Sequence, residues 1–140
     1  MSFTRDIPVE FGHCDPAGIV FYPRYFEMLN SVVEAFFAQA LGHSFKHIHL
    51  EAGCAVPTAH LEADFHAPSR LGDILTFTLA VGRVGGSSAT FVAHVSSGTE
   101  HRLTARQVIV WTGRDLRPAR WPAPLAHALA LHLTDKEGAP

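Results

Sequence analysis

Apolar and polar residues alternate with the period of a β-strand in several separate stretches of the chain. These stretches are residues 3–11, 58–67, 73–83, 88–96 and 102–112. Short turns that contain glycine separate the last three stretches, and turns this short join antiparallel neighbours. The pattern predicts a mostly antiparallel sheet of five strands. Pro8 cannot donate to a β-ladder, so the first strand is predicted to lie at an edge or to be irregular there.

One long helix is predicted between Pro23 and Leu41. Its apolar side carries Phe26, Leu29, Val33, Phe36, Phe37 and Ala40, and its polar side carries Glu27, Asn30, Ser31 and Glu34. Pro23 suits the first turn, where its missing N–H would have no partner in any case. Gly42 suits the end of the helix. Residues 43–54 are predicted as a loop with a short helical turn, and a second short helix is predicted at 125–133.

The order of elements is therefore strand, helix and four strands. One amphipathic helix against an antiparallel sheet is an α+β layer architecture. The 140 residues are 47% hydrophobic and 17% charged, which fits one folded domain over residues 1–140.

Composition excludes several classes of partner. The formal net charge is only -2, so neither nucleic-acid nor membrane binding is expected. No apolar run approaches the ~20 residues that span a bilayer, and the N-terminus does not resemble a secretory signal. Cys14 and Cys54 are expected to be free thiols, because two cysteines make no disulfide framework. A soluble, cytoplasmic protein is predicted.

The strongest candidate for chemistry is Asp15, in a loop that precedes the long helix. A helix N-terminus offers unpaired N–H groups and partial positive charge, which can polarise a carbonyl oxygen. A carboxylate beside such a site is a minimal apparatus for acyl transfer, as nucleophile or as general base. However, Asp-Pro is also a common turn, and aspartate also caps helices. Spacing alone leaves both interpretations open.

A longer motif favours the catalytic interpretation. Residues 11–26 read Phe-Gly-His-Cys-Asp-Pro-Ala-Gly-Ile-Val-Phe-Tyr-Pro-Arg-Tyr-Phe, which resembles the signature of the 4-hydroxybenzoyl-CoA thioesterase family. The resemblance implies a hotdog fold, in which a five-stranded antiparallel sheet wraps around one long central helix. It also implies hydrolysis of an acyl-CoA, with an aromatic or short-chain acyl group, to the free acid and CoA.

The resemblance also implies roles for individual residues. Asp15 matches the family's catalytic aspartate, and Tyr22 matches the position whose backbone N–H binds the thioester carbonyl. Gly18 matches a glycine that lets the loop approach the substrate. His13 departs from the pattern, because many members carry a second acid there, and a surface role is expected for it.

The sequence also offers candidates for substrate contacts outside the motif. Phe21, Phe26 and Phe65 are candidates for the apolar wall of an acyl pocket. Some related enzymes have a basic cluster near the turn that here contains Arg83, Ser87 and Ser88. These three residues are candidates for CoA binding, as are the arginines at other positions: Arg24, Arg70, Arg102 and Arg106. Taken singly, each arginine is expected at the solvated surface.

No metal site and no redox cofactor are expected, since coenzyme A is part of the substrate. Histidines that are close in sequence or share a predicted strand face are His43, His47, His49, His60 and His66. They lack a metal-binding motif, and surface or interface roles are expected. By resemblance, the chain should form a homo-oligomer, a tetramer built from dimers whose sheets join edge to edge.

Three alternatives stay open. Some hotdog thioesterases use an acid on the helix, and Glu27 is then a better candidate than Glu34 because it is nearer the helix start. The same fold also carries acyl-thioester dehydratases and hydratases. A non-catalytic acyl-CoA-binding module would need Asp15 to be purely structural.

Overall fold

The structure is a computed structural model that describes residues 2–134. The ends of the predicted 1–140 domain, Met1 and residues 135–140, lie outside the described residues. Within 2–134 the chain forms five strands and two α-helices. In chain order these are β1 (Ser2–Pro8), α1 (Pro23–Gln39), β2 (Thr58–Phe65), β3 (Ile74–Val84), β4 (Ser88–Ser97), β5 (Glu100–Val110) and α2 (Ala123–Leu131).

The strands form one sheet in the order β1-β3-β4-β5-β2, and every pair of neighbours is antiparallel. The predicted α+β architecture is confirmed. β1 and β2 lie at the two edges, which agrees with the position predicted for the strand that contains Pro8. The short turns between β3, β4 and β5 produce the central hairpins, while the crossover from β1 to β2 contains α1.

Helix α1 supplies one side of the hydrophobic core. Its residues Phe36 and Phe37 are almost fully buried, and both rings contact Phe91 of β4, at centroid distances of 5.6 Å and 6.3 Å. Burial of one such ring contributes roughly 2–3 kcal/mol from the hydrophobic effect. The helix ends two residues earlier than predicted, and Gly42 follows it with φ +75°. This left-handed conformation favours glycine and turns the chain away from the helix axis.

The segment after α1 forms a π-helical turn at Lys46–Glu51, where a short helical turn was predicted. Ile48 from this turn is 1% exposed and fixes the segment to the core. Farther along, α2 begins two residues earlier than predicted, and its Leu125 and Leu129 are buried. Among the described residues, no helix has the length and apolarity that crossing a membrane would require.

The first strand is shorter than predicted. It ends at Pro8, and Phe11–His13 form a single 3-10 turn instead. Phe11, the last residue of the predicted strand, therefore lies in this turn, and its side chain is 83% exposed. The Val9 N–H still donates in register to the Asp73 carbonyl at 2.8 Å. The Val9 carbonyl, however, accepts from the Gly72 N–H at 3.1 Å, one residue out of register, and the regular ladder ends there.

Strand β2 also differs from a half-buried strand. Its alternating apolar residues stay largely outside the core, with Leu61 39% and Phe65 50% exposed. β2 pairs only with β5 in the described chain. It ends at Phe65 because the next two N–H groups, from His66 and Ala67, both donate to the Arg102 carbonyl. An edge strand with an uncovered apolar face therefore lies next to the start of α1.

Candidate active site

Residues 12–22, here called the motif loop, form a compact turn before α1. The Asp15 N–H donates to the Ile19 carbonyl at 3.1 Å, and the Gly18 N–H donates to the Asp15 carbonyl at 2.9 Å. Gly18 has φ +83°, a conformation in which residues with a Cβ are strained. No atom lies within 4 Å of a Cβ placed at Gly18. The backbone conformation, and not space, therefore requires glycine in this structure.

The half-buried Asp15 side chain makes an Asx turn. Its Oδ1 accepts a hydrogen bond from the Ala17 N–H at 2.9 Å. Its Oδ2 has no hydrogen-bond partner within residues 2–134. One carboxylate oxygen thus fixes the side chain, and the other is available to attack a carbonyl or to accept a proton from water. The structural and the catalytic interpretations of Asp15 are compatible in this geometry.

The N-terminus of α1 supplies one free donor. Pro23 has no N–H, the Arg24 N–H donates to the Phe21 carbonyl, and the Tyr25 N–H donates to the Tyr22 carbonyl. In the described part of the chain, no acceptor binds the Tyr22 N–H. An amide at a helix start also carries the partial positive charge of the helix dipole. This amide can stabilise negative charge that develops on a thioester oxygen.

An aromatic cluster surrounds the start of α1. The Phe65 ring from β2 is 5.9–6.4 Å from three rings of α1 and its N-terminal cap, namely Tyr22, Tyr25 and Phe26. A cavity of about 340 Å³ lies beside this cluster, lined by Ile19, Val20, Tyr22, Tyr25, Phe65, His66, Ala67 and Pro68. Phe21 is 46% exposed and contacts the Tyr22 ring. Two of the three predicted wall residues, Phe65 and Phe26, are therefore in the cluster.

A second cavity, of about 260 Å³, lies deeper along α1. It is lined by Asn30, Val33, Phe45, His49, Ala55, Val56, Pro57, Thr58, Gln107 and Ile109. The Gln107 amide nitrogen donates to the Thr58 hydroxyl at 2.8 Å. Its buried Oε1 has no hydrogen-bond partner in the described part of the protein. Sequence reasoning missed this site, because no local pattern shows that Asn30 and Gln107 meet.

The two other acid–base candidates near the motif loop are engaged in local contacts. His13 accepts a hydrogen bond at Nδ1 from the Glu10 N–H, at 2.8 Å. Glu27 forms an ion pair with Arg24 at 3.0 Å, and its side chain is 65% exposed. Such an exposed pair contributes ~0.5 kcal/mol or less. Glu34 is also exposed.

The turn with Arg83, Ser87 and Ser88 lies at the other end of the sheet. Ile74, where β3 begins, pairs with Pro8 near the motif loop, whereas Val84 pairs with Ala89 at the far end. At ~3.3 Å per residue, the two ends of this strand are about 30 Å apart. Within one chain, these three residues therefore do not join Asp15 and Tyr22.

A buried polar network joins the motif loop to the sheet. Arg102 of β5 is 9% exposed, so the expectation that it lies at the solvated surface is wrong. Its Nη1 donates to the Ser69 hydroxyl at 3.0 Å and to the Asp73 carboxylate at 2.8 Å. The Arg102 guanidinium lowers the pKa of Asp73, mainly through this hydrogen bond. The same bond raises the pKa of Arg102, against the opposing effect of burial.

Two pairs of histidines lie close together, whereas His49 contacts the Phe45 carbonyl and His60 contacts Glu62. His43 and His47 approach each other after α1, and His47 contacts Glu51 at 2.9 Å. The ring centroids of His66 and His101 are 4.5 Å apart with the rings tilted by 42°, and both side chains contact the Thr104 hydroxyl at 3.1 Å. No group of three or more candidate ligands within residues 2–134 has an arrangement that could hold a metal. Cys14 and Cys54 carry free thiols.

Comparison with known proteins identifies the family. A family model described as "Thioesterase-like superfamily" matches residues 9–129, which include the motif loop, both cavities and the whole sheet except β1. The chain belongs to this superfamily. The resemblance predicted from residues 11–26 is thereby confirmed.

Individual relatives of this thioesterase-like chain agree. It is 30% identical over 81 residues to 4-hydroxybenzoyl-CoA thioesterase from Pseudomonas sp. strain CBS-3. That alignment spans 57% of each protein. The crystal structure of this Pseudomonas enzyme superposes with a TM-score of 0.83 at 26% identity, covering 91% of this chain and 98% of that one. A mutant of 4-hydroxybenzoyl-CoA thioesterase complexed with 4-hydroxybenzoyl-CoA gives a TM-score of 0.85.

A more distant structure shows the same fold. A 1,4-dihydroxy-2-naphthoyl-CoA thioesterase from Synechocystis superposes with a TM-score of 0.84 at 22% identity, covering 93% of this chain and 96% of that one. The predicted hotdog fold is therefore confirmed for this thioesterase-like chain.

Proposed function

We propose that this chain hydrolyses an acyl-CoA thioester to a free acid and coenzyme A. The observation that carries the proposal is the motif loop, in which a carboxylate oxygen without a partner lies in the same short segment as the free Tyr22 amide. Membership of the thioesterase-like superfamily supports it. Neither a metal nor a redox cofactor is needed for this reaction.

The Tyr22 N–H holds the thioester carbonyl oxygen, with the helix dipole favouring the charge that develops there. Asp15 either attacks the carbonyl carbon or removes a proton from an attacking water. The tetrahedral intermediate collapses, the C–S bond breaks, and coenzyme A leaves as the thiolate, which takes up a proton. If Asp15 is the nucleophile, water then hydrolyses the acyl-aspartate anhydride and restores the carboxylate.

We propose an aromatic acyl group, with a short-chain group as the alternative. The cavity beside Phe65 is bounded by aromatic rings, which suit a flat apolar group. The relatives named above act on 4-hydroxybenzoyl-CoA and 1,4-dihydroxy-2-naphthoyl-CoA, whose acyl groups are both hydroxylated aromatic rings.

We also propose a homodimer joined at the free edge of β2, and a tetramer built from such dimers. The uncovered Leu61 and Phe65 on this edge support pairing of β2 with β2 of a second copy. Coenzyme A bound at the Asp15 site of one copy would then contact a second copy. Arg83, Ser87 and Ser88 can bind this coenzyme A only from a second copy, because within one chain they lie too far from Asp15. A monomer in solution would exclude them as CoA ligands.

The free thiols of Cys14 and Cys54 support a cytoplasmic location for the reaction. A dehydratase or hydratase on the same fold, and a non-catalytic acyl-CoA-binding module, are the competing functions. No specific feature of the motif loop favours either one.

The deciding experiment is a thiol-release assay with benzoyl-, 4-hydroxybenzoyl-, phenylacetyl- and short- to long-chain acyl-CoAs. Asp15→Asn retains an oxygen for the Ala17 N–H but removes the negative charge. Hydrolysis by the parent and loss of turnover in this variant, with thioester binding retained, is the expected result. Hydration of an enoyl-CoA without thiol release would instead support the hydratase. Binding without turnover would support the binding module.

Isotope labelling can identify Asp15 as the nucleophile. In a single turnover in H₂¹⁸O with enzyme in excess, ¹⁸O enters the Asp15 carboxylate when water hydrolyses an acyl-aspartate anhydride at the aspartyl carbonyl, and it cannot enter when Asp15 is a general base. Water that attacks the acyl carbonyl leaves Asp15 unlabelled in both cases, so rapid quenching to trap the acyl-enzyme decides an unlabelled result. Mass spectrometry of the peptide that contains Asp15 reads out the difference.

A further inference from the structure

The buried polar network around Ser69 has no part in the mechanism described above, although it contacts the site from two sides. Ser69 is 0% exposed. Its hydroxyl contacts the Tyr25 hydroxyl at 2.9 Å and the Arg102 Nη1 at 3.0 Å. Its carbonyl accepts a hydrogen bond from the Val20 N–H at 2.8 Å. A single residue thus joins the motif loop, the first turn of α1 and β5.

Arg102 holds Ser69 in place. Its Nη1 also donates to the Pro68 carbonyl at 3.2 Å and to the Asp73 carboxylate at 2.8 Å. Its Nε lies 2.7 Å from the Glu100 carboxylate, although the angle of this contact is that of an ion pair without a hydrogen bond. The Asp73 carboxylate in turn accepts a hydrogen bond from the Arg70 N–H at 2.9 Å. One guanidinium therefore fixes residues 68–73 against the sheet.

The backbone adds to this fixation. The Arg102 carbonyl accepts hydrogen bonds from His66 and Ala67, at 2.8 Å and 3.3 Å. The Asp73 carbonyl accepts one from Val9 at 2.8 Å. Arg102 therefore anchors both ends of the segment that carries Ser69, and that segment has little freedom to move relative to β5.

The chemistry requires such rigidity. Asp15 lies five residues before Val20, and the Tyr22 amide lies two residues after it, so the Val20–Ser69 bond fixes the chain between the two catalytic groups. Tyr25 fixes the start of the helix, on which the direction of the Tyr22 N–H depends. A displacement of ~1 Å between reacting groups can lower the rate about 100-fold.

We propose that Arg102 and Ser69 are positioning residues, which set the geometry between Asp15 and the Tyr22 amide through Val20 and Tyr25. The expected effect on turnover rests on the proposed function. The expected effect on the rigidity of the motif loop rests only on the hydrogen bonds described above. Ser69 is fully buried and does not touch substrate. Any change in turnover caused by its replacement acts through the residues that it holds.

Ser69→Ala is the sharpest test in the assembled enzyme. It removes the hydroxyl that links Arg102 to Tyr25 and leaves the carbonyl for Val20. Turnover is expected to fall about 10-fold, with KM changed less than about 3-fold, because the binding cavity keeps its lining. Arg102→Met, which retains the apolar stem, is expected to lower kcat further. Arg102→Lys keeps a charged donor and should restore part of the loss.

Thr112→Val is the matched control. Thr112 is 3% exposed, and its hydroxyl donates to the Ala55 carbonyl, so this change also removes one buried hydroxyl. It lies ten residues from Arg102 along β5 and its extension, about 30 Å at ~3.3 Å per residue. A similar fall in melting temperature is expected for Thr112→Val and Ser69→Ala, but kcat should change only in the latter.

Hydrogen exchange gives a readout that does not depend on any substrate. In Ser69→Ala and Arg102→Met, the hydrogen-bonded amides within residues 19–25, namely Val20, Phe21, Arg24 and Tyr25, should exchange at least about 10-fold faster, while the turn that contains Gly85 should not change. If the parent hydrolyses no thioester, the proposed function fails and exchange alone decides the positioning. Unchanged exchange at residues 19–25, or an unchanged kcat in an active enzyme, would overturn the proposal.

Discussion

Two loops of this protein share one local design and differ in their surroundings. In the motif loop, Asp15 Oδ1 accepts from the N–H two residues later, at 2.9 Å. In the loop of residues 112–118, Asp115 Oδ1 does the same for Arg117, at 3.0 Å. A single antiparallel bridge closes each loop, Cys14 with Val20 and Thr112 with Pro118.

The two loops differ in what surrounds them. The motif loop leads into the N-terminus of α1, contacts an aromatic cavity and is anchored through Ser69. The 112–118 loop leads into an extended segment at the other end of the sheet. An aspartate in an Asx turn is therefore no indication of catalysis by itself. The adjacent free amide and cavity give Asp15 its proposed role.

The largest expected effect comes from neutralising each aspartate in turn. Asp15→Asn should lower kcat at least ~100-fold, because asparagine retains the turn but cannot act as nucleophile or base. Asp115→Asn should change kcat less than about 2-fold. Thiol release under saturating acyl-CoA measures both. Equal effects of the two changes on kcat would show that Asp15 only stabilises the Asx turn and is not catalytic.

The left-handed residues of the two loops should respond in opposite directions. Gly18 has φ +83°, and Leu116, which is 72% exposed, has φ +63°. Gly18→Ala should destabilise the protein by about 1 kcal/mol through backbone strain. Leu116→Gly removes a strain of ~1 kcal/mol but increases the freedom of the unfolded chain, so a smaller gain, of a few tenths of a kcal/mol, is expected.

Denaturant unfolding of both variants measures these free energies. Because no atom lies near the added Cβ at position 18, a loss well above 2 kcal/mol in Gly18→Ala would point to a steric cause that the structure does not contain. A clear loss of stability in Leu116→Gly would show that its side chain makes a contact worth more than the strain.

Acid should affect the two loops unequally. The pKa of Asp73 is lowered from its ordinary value of 3.8 by Arg102. Its ion pair therefore contributes stability that is fully present above that value and is lost as the pH falls through the lowered pKa. Below about pH 4, the protection of amides in the motif loop, corrected for the intrinsic pH dependence of exchange, should fall before that in the 112–118 loop.

Asp73→Asn provides the control for the acid effect. It lacks the titrating carboxylate, so its stability should be lower at neutral pH and less dependent on pH below 4. An identical acid dependence in the parent and in Asp73→Asn would assign the effect to other carboxylates.

The smallest effect is expected from Glu27→Gln. Glu27 is exposed and paired only with Arg24 in the described chain, so stability should change by less than ~0.5 kcal/mol. Turnover should stay within about 2-fold of the parent. A large loss of kcat in Glu27→Gln, together with an active Asp15→Asn, would identify Glu27 of α1 as the catalytic acid. Neither loop would then supply a catalytic aspartate.

The sequence allowed much of the fold to be predicted, because α1, β3 and β5 bury mainly one face each and β4 keeps its apolar residues in phase. Their periodicity is therefore strong, as the buried Leu75 and Phe91 illustrate. The predicted end of the first strand at residue 11 was wrong, because the register is lost where the Gly72 N–H donates to the Val9 carbonyl, and these two residues lie far apart in sequence. Alternation alone also did not show that the apolar residues of β2 would stay exposed.

The candidate site also contains residues that the sequence identified and residues that only the structure shows. Asp15, Gly18 and Tyr22 lie in one continuous motif, so the sequence alone was enough to single them out. Arg102 and Ser69 lie far apart in sequence, and each is an ordinary polar residue in its own segment. Only the tertiary structure shows that they meet beneath the motif loop, and the same applies to the Gln107 cavity.

The open edge of β2 has a consequence for the newly made chain. Its unpaired N–H and C=O groups, with Leu61 and Phe65 beside them, can pair with any exposed strand. Formation of the proposed dimer and aggregation then compete for the same edge strand, and both become faster as the concentration of the chain rises. The charged residues Glu62 and Asp64, which alternate with the apolar ones on this strand, oppose unspecific stacking. Changing them to neutral residues should lower the soluble yield without altering the fold of each chain.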